Sequence, residues 1–232
     1  MAFQAQGILF DLDGTLIDHF NVLYRCYRHT LGQMGLPIPD FETVRRSVGG
    51  SMEVTMSGYV GKEHRQKAVE IWRRHFDSIF LEDVTMLPGS FELVEELHRC
   101  GHSQAVFTNK IGDQSRRVCT HLGLDPMIEF VLGANDTPYR KPQPEFSQAV
   151  VDRLPVPDDR IIFIGDSPFD IEAAHCVSRP AYCVTTGTHS KEELIAAGAD
   201  GIFPDMFELA RTVFSIELEP EAKTLEASCN EA

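Results

Sequence analysis

Asp11 and Asp13 stand two residues apart where an apolar run gives way to Gly14, in the stretch ILFDLDGTL. A strand turns alternate side chains to one face, so an extended chain aims both carboxylates into one small space. Like charges so crowded cost free energy unless a cation, a shared proton or a reaction makes use of them. Other reactive residues occupy matching places farther on. Thr108 and Asn109 follow the apolar AVF, Lys141 opens KPQPE after FVLGAND, and Asp166 follows IIFIG, with Asp170 four residues later. Carboxylates with oxygen-only partners suit a hard cation such as Mg2+, whereas zinc favours His or Cys. A lysine and a hydroxyl supply donors for an anionic group, and the backbone N–H groups of the turn at 11–14 add to them. Phosphate fits that description.

These residues need elements that bring them together. Residues 7–10 read as a buried strand, short, apolar and bounded by turn residues. From about residue 18 to 83 the pattern is helical: HFNVLYRCYRHTLGQMG and HRQKAVEIWRRHFDSIFLEDV repeat apolar residues at three and four, with breaks at GLPIPD and VGGSMEV. After MLPGSF the elements alternate. A helix in ELVEELHRC stops at Gly101, and a strand at 104–107, a helix in DQSRRVCTHLGL and a strand in EFVLGAND come next. A helix in KPQPEFSQAVVDRL, a strand in RIIFIGD, a helix in SPFDIEAAHC and a strand in PAYCVTTG complete the series. Such alternation predicts an α/β chain with a doubly wound parallel sheet and an α-helical domain inserted after the first strand. The expected division is a core of 1–17 and 87–216, a helical cap of 18–86, and a disordered acidic tail at 217–232. Ligands of an open parallel sheet bind beyond the carboxyl ends of its strands, where these reactive residues fall.

With 232 residues, 43% of them hydrophobic, the chain can bury a substantial core. A net charge of -14 opposes binding to nucleic acid or an anionic membrane surface, while one local cation can still hold a small anion. No apolar stretch approaches the roughly 20 residues that span a bilayer, and the first residues lack a basic leader. The expectation is a soluble cytoplasmic protein, monomer or homodimer, with a small-molecule partner. The six cysteines have no ligand spacing and read as free thiols. His98 and His102 are four apart, but Gly101 between them ends the helix that a metal pair would need.

DLDGTL, FTNK, RKPQPE and GDSPFD follow one another in the order of the four motifs of the haloacid dehalogenase superfamily of phosphohydrolases. From about residue 7 to 209 the chain resembles that superfamily, in particular its members with a helical cap and a likeness to phosphoglycolate phosphatase. The resemblance implies a Rossmann-like core and specific roles. Asp11 would attack phosphorus to form an aspartyl phosphate. Asp13 would protonate the leaving oxygen and then activate water. Mg2+ would be held by the Asp11 side chain, the Asp13 backbone carbonyl and Asp166. Asp170 would support the site, through a water on the metal or by orienting Lys141. Thr108 and Lys141 would bind the phosphoryl oxygens and stabilise transition-state charge, with Asn109 contributing through its backbone. The implied function is a Mg-dependent phosphatase for a small phosphorylated metabolite. A phosphomutase, a phosphonatase, a pyrophosphatase or a dehalogenase would use the same fold. The dehalogenase needs neither the second aspartate nor the metal, and a non-catalytic binding protein would need none of these positions filled.

Each residue alone also has a local structural role. Asp13 caps a turn, Thr108 ends a strand, GDSPFD reads as a helix N-cap with an acidic first turn, and Lys141 reads as a solvated loop lysine. Capping does not explain why every strand end carries a charged or hydroxylic residue. In the helical insertion, VGGS with Gly49 is a bare turn by composition, since no strand precedes it. The resemblance makes it a loop that reaches over substrate. Arg46, with Arg45 beside it, either meets a substrate anion there or lies on a solvated helix face. Ile17 and Asp18, together with PGS after Leu87, would form the hinge of cap closure. His19 stands where many relatives carry a small serine, and HCVSRPAYCV departs from the usual glycine-containing segment.

Overall fold

A computed structural model describes residues 6–48 and 52–219. The chain opens with β1 (Gly7–Phe10) and the short β2 (Ile17–Asp18), then runs through α1 (Phe20–Gln33), α2 (Phe41–Arg45), α3 (Met52–Val60) and α4 (Arg65–Ile79). It returns through β3 (Thr85–Met86) to α5 (Ser90–Arg99), β4 (Ser103–Ile111), α6 (Gly112–His121), β5 (Phe130–Ala134) and α7 (Pro144–Val151). The last part is β6 (Ile161–Gly165), α8 (Pro168–His175), β7 (Ala181–Val184), α9 (Lys191–Ala197), β8 (Gly201–Phe203) and α10 (Met206–Leu209).

Six strands form one parallel sheet in the order β5-β4-β1-β6-β7-β8. The period of two divides its strands between two cores. Ile8 and Phe10 of β1, Val106 of β4 and Ile162 and Ile164 of β6 join the larger cluster. Leu9, Ala105, Phe107, Ile161 and Phe163 face the other side. Burial on both faces is why these strands are continuous apolar runs rather than alternating ones. The expected α/β sheet and its central strands are present, with three differences. β4 runs on from the expected 104–107 to Ile111 and shifts register against β5 between Phe107 and Ile111. β8 and α9 carry no strong periodicity: β8 is three residues long and α9 buries only Leu194. Ile216 and Leu218 pack against the larger core, so its contacts reach past Glu217, where the expected tail begins. The rest of that tail, 220–232, lies outside the described residues.

The helical insertion leaves and rejoins the sheet through a two-stranded ribbon that pairs Ile17 with Met86 and Asp18 with Thr85. α1 buries Phe20, Leu23, Tyr27 and Leu31, and α4 buries Ala68, Trp72, Phe76 and Ile79, the three and four spacing of two amphipathic helices packed on one another. Trp72 and Phe76 stack with centroids 4.8 Å apart, and Tyr27 meets Trp72 edge-on. Among the described residues, no helix is long and apolar enough to cross a membrane. The described cysteines are all free.

Candidate active site

β1, β4 and β6 are neighbours, so the loops leaving their carboxyl ends meet in one crevice. Asp11 follows β1 directly, and its backbone N–H donates to the Ile164 carbonyl at 2.8 Å. A tight turn follows: Gly14 sits at φ +87°, and the Leu12 carbonyl accepts from Leu16 and Ile17 N–H groups at 2.9 and 3.0 Å. Asp11 and Asp13 both line the crevice, each carboxylate held by its own cation. The Asp11 carboxylate accepts from Lys141 Nζ at 2.6 Å, while both Asp13 oxygens accept from Lys110 Nζ at 3.1 Å. The crowded set is Asp11, Asp166 and Asp170, which offer oxygens within 4.8 Å of one another.

Each of these carboxylates is built in. Asp166 Oδ2 accepts from the N–H and hydroxyl of Thr188 at 2.7 and 3.0 Å. Asp170 Oδ2 accepts from Ser167 N–H and Oγ at 3.1 and 2.6 Å, a capping box that starts α8, while its Oδ1 takes Lys141 Nζ at 2.6 Å. The cap reading of GDSPFD and its place in the site therefore hold together. Lys141, with a side chain 2% exposed, is clamped from behind by Asn109: Oδ1 accepts from Lys141 N–H at 2.9 Å and Nδ2 donates to its carbonyl at 3.3 Å. Sequence reasoning expected Asn109 to act through its backbone; its side chain makes the clamp. Thr108 is buried, lines the crevice, and its Oγ1 accepts from Lys110 N–H at 3.2 Å.

Two glycines give the carboxylates room. A Cβ on Gly187 would run into the Asp166 carboxylate, and one on Gly165 into that of Asp170. Gly187→Ala is therefore expected to destabilise the protein by about 1–3 kcal/mol, the usual range for overpacking a filled site. That corresponds to a drop of roughly 2–12 °C in Tm for a chain of this size, read by thermal unfolding.

Charge decides the protonation states. Burial raises the Asp11 carboxyl, and nearby Asp170 adds to the rise, although Lys141 opposes it; the net direction is up from 3.8. Burial likewise raises Asp166, reinforced by Asp170 and Asp11. Burial alone would lower Lys141, but the carboxylates of Asp11 and Asp170 outweigh it and hold the ammonium charged. Asp13 goes the other way: burial would raise it, yet the Lys110 charge holds it well below the usual range. With all three carboxylates ionised, one ammonium leaves two negative charges uncompensated. One divalent cation offsets that charge, and an all-oxygen donor set suits Mg2+ rather than a softer metal.

Sequence reasoning missed the group around Asp13. His19 is 1% exposed; its Nε2–H donates to the Phe80 carbonyl at 2.7 Å, which leaves Nδ1 to accept from Lys110 Nζ at 3.1 Å. Burial and the Lys110 charge both disfavour the imidazolium, so its 3.4 Å approach to Asp13 is not an ion pair. The signals were there: His19 replaces a small residue, and Lys110 completes FTNK. Arg46 is placed elsewhere, paired with Glu193 at 2.8 Å on an exposed face and outside the crevice lining. Arg45, one residue earlier, donates to the Thr186 and Gly187 carbonyls beside Asp166 and is likewise outside the crevice lining. Gly49 lies outside the described residues.

With this geometry in view, residues 8–179 match the family model of haloacid dehalogenase-like hydrolases. The chain belongs to that family. The chain is 28% identical over 215 residues to a phosphoglycolate phosphatase of Rhodospirillum rubrum, covering 88% of this chain and 89% of that one. It is 27% identical over 170 residues to tyrosine-protein kinase PtkA of Mycobacterium tuberculosis, covering 73% of this chain but spanning only 58% of the kinase. A solved haloacid dehalogenase-like family hydrolase from Streptococcus pneumoniae superposes with a TM-score of 0.81 at 23% identity, over 88% of this chain and 96% of that one, which shows a shared fold.

Proposed function

We propose that this hydrolase cleaves a phosphate monoester of a small metabolite through an aspartyl phosphate on Asp11, with Mg2+ at Asp11, Asp166 and the Asp13 backbone carbonyl. The observation that carries the reading is Lys141 Nζ, fixed 2.6 Å from both Asp11 and Asp170 beside the buried Asp166. The name of the Rhodospirillum relative, matched over most of its length, supports monoester hydrolysis over the other reactions run on this fold. We further propose that residues 18–86 act as a cap over a core of 1–17 and 87–216, with the paired β2 and β3 as its hinge.

In this reading Lys141 orients the Asp11 carboxylate and, with Thr108, binds the phosphoryl oxygens as charge shifts onto them. Asp11 attacks phosphorus. Bound phosphoryl charge raises the proton affinity of Asp13 beside it, which lets a carboxylate ionised in the free site protonate the leaving oxygen. Asp13 then takes a proton from the water that cleaves the aspartyl phosphate, which frees phosphate and restores Asp11. Mg2+, when bound, offsets the repulsion between the Asp11 carboxylate and the phosphoryl oxygens. Asp170 holds Lys141 in line through Oδ1 while its other oxygen caps α8.

The test is phosphate release from a panel of phosphorylated metabolites with Mg2+ and with a chelator. Release that needs Mg2+ supports the reading, and no release from any monoester overturns it. Thermal unfolding reads the metal separately. The folded values of Asp11 and Asp166 lie above 3.8, so without metal their protonated forms favour the fold at low pH, and that contribution is lost as pH rises through the folded values. Mg2+ competes with those protons. At about 100 times its Kd it should stabilise by about 2.7 kcal/mol near pH 8 and by distinctly less near pH 5.

A further inference from the structure

A cavity of about 150 Å³ stands over Asp11, and its two sides differ in chemistry. The sheet side carries Asp11, Asp13, Thr108, Lys141 and Asp166. The helical side presents Tyr27, Trp72 and Phe76, which are 4, 7 and 1% exposed and form one continuous aromatic wall, with Leu23 and Met52 beside them. Among the described residues the cation on that wall is Arg73, and its guanidinium is paired with Glu53, which lines the same wall. On the sheet side Lys110 is committed to Asp13 and His19, while Arg140 sits exposed at the rim. Among the described residues the wall thus offers area and no uncommitted charge to whatever hangs from the phosphoryl group. Trp72 also keeps a buried indole N–H with no acceptor among the described residues.

We propose that the substrate carries one anionic group, its phosphoryl, on an alcohol whose apolar, ring-sized body lies against Tyr27, Trp72 and Phe76. This rests on the monoester-hydrolase reading and names the substrate class for it. A second carboxylate or phosphate on the leaving group would face the aromatic wall, where the cation present, Arg73, is already paired with Glu53 and Arg140 stands on the opposite, exposed side, and burial without a partner disfavours a charge strongly. A ring there gains stacked and edge contacts with groups already fixed in place.

Trp72 is the single tryptophan of the chain, so its emission reports on the wall directly. In the first arm, kcat/KM is compared for benzyl phosphate and 2-phosphoglycolate, both of which release an alkoxide rather than a phenoxide. The expected result is a preference of at least roughly tenfold for benzyl phosphate, the scale of selectivity that apolar burial supplies. In the second arm, benzylphosphonate and methylphosphonate are titrated into the Mg2+-loaded protein. Benzylphosphonate should change Trp72 emission saturably, and methylphosphonate should leave it flat. Equal or better use of phosphoglycolate overturns the proposal, as does benzylphosphonate that competes with substrate while Trp72 emission stays unchanged. If no monoester at all is turned over, the hydrolase reading fails instead, and the emission titration still decides which ligand the wall takes.

Discussion

Asp11→Asn is expected to lower kcat by at least about 10⁴-fold while the protein stays folded, the order of loss that follows removal of a covalent nucleophile from an otherwise intact site. An amide oxygen is a far weaker nucleophile than a carboxylate, yet it keeps the shape of Asp11 and can still accept from Lys141 Nζ, now 2.6 Å from Oδ1. Folding should survive for a reason visible in the charges. Burial and the neighbouring carboxylates already push Asp11 toward its neutral form, so a neutral amide removes repulsion from the cluster with Asp166 and Asp170. Thermal unfolding without metal at pH 7 should therefore give a Tm equal to or above that of the parent protein. Acid quenching during turnover of a radiolabelled monoester gives the second readout: label stays on the parent protein and is absent from the variant. Unchanged turnover in Asp11→Asn would place the nucleophile elsewhere.

What could be read from the sequence, and what could not, divides along physical lines. Strands buried on both faces need no partner to be recognised, because GILF and IIFIG are apolar throughout. The carboxylates and Lys141 were found by place, since the end of a parallel strand is where function collects. Groups whose roles depend on long-range pairing were not. Lys110 meets Asp13 across 97 positions of sequence, and nothing local separates it from a surface lysine. Gly187 looks like any turn glycine until the Asp166 carboxylate is seen to fill its missing Cβ. Arg45 and Arg46 illustrate the finest limit: one step around a helix is about 100°, enough to send one arginine to the Gly187 carbonyl and the next to Glu193 at the surface.

Lys141→Met should damage stability and catalysis together, and the two effects can be pulled apart. The ammonium is buried between Asp11 and Asp170, with both N–O distances at 2.6 Å. Removing one member of a buried ionic group strands the others, at a cost of about 3–5 kcal/mol. For a chain of this size that is a fall of roughly 6–20 °C in Tm at pH 7. The sign of the pH dependence follows from the carboxylates. Lys141 opposes the rise in the Asp11 value, so its loss raises the folded value further above 3.8. The penalty is then present where Asp11 is ionised and is relieved as pH falls and Asp11 takes up a proton, so the Tm gap to the parent protein should narrow toward pH 4. Asp170→Asn added to Lys141→Met removes one stranded charge and should recover part of the stability, an interaction that a double-mutant cycle measures. It should recover no activity, because the cation proposed to stabilise charge on the phosphoryl oxygens is still missing, and loss of one such donor slows turnover by about 10²–10³-fold. Recovery of both in the double variant would reduce Lys141 to a counter-ion for Asp170, and the phosphoryl-binding role would have to pass to another cation of the crevice such as Lys110 or Arg140.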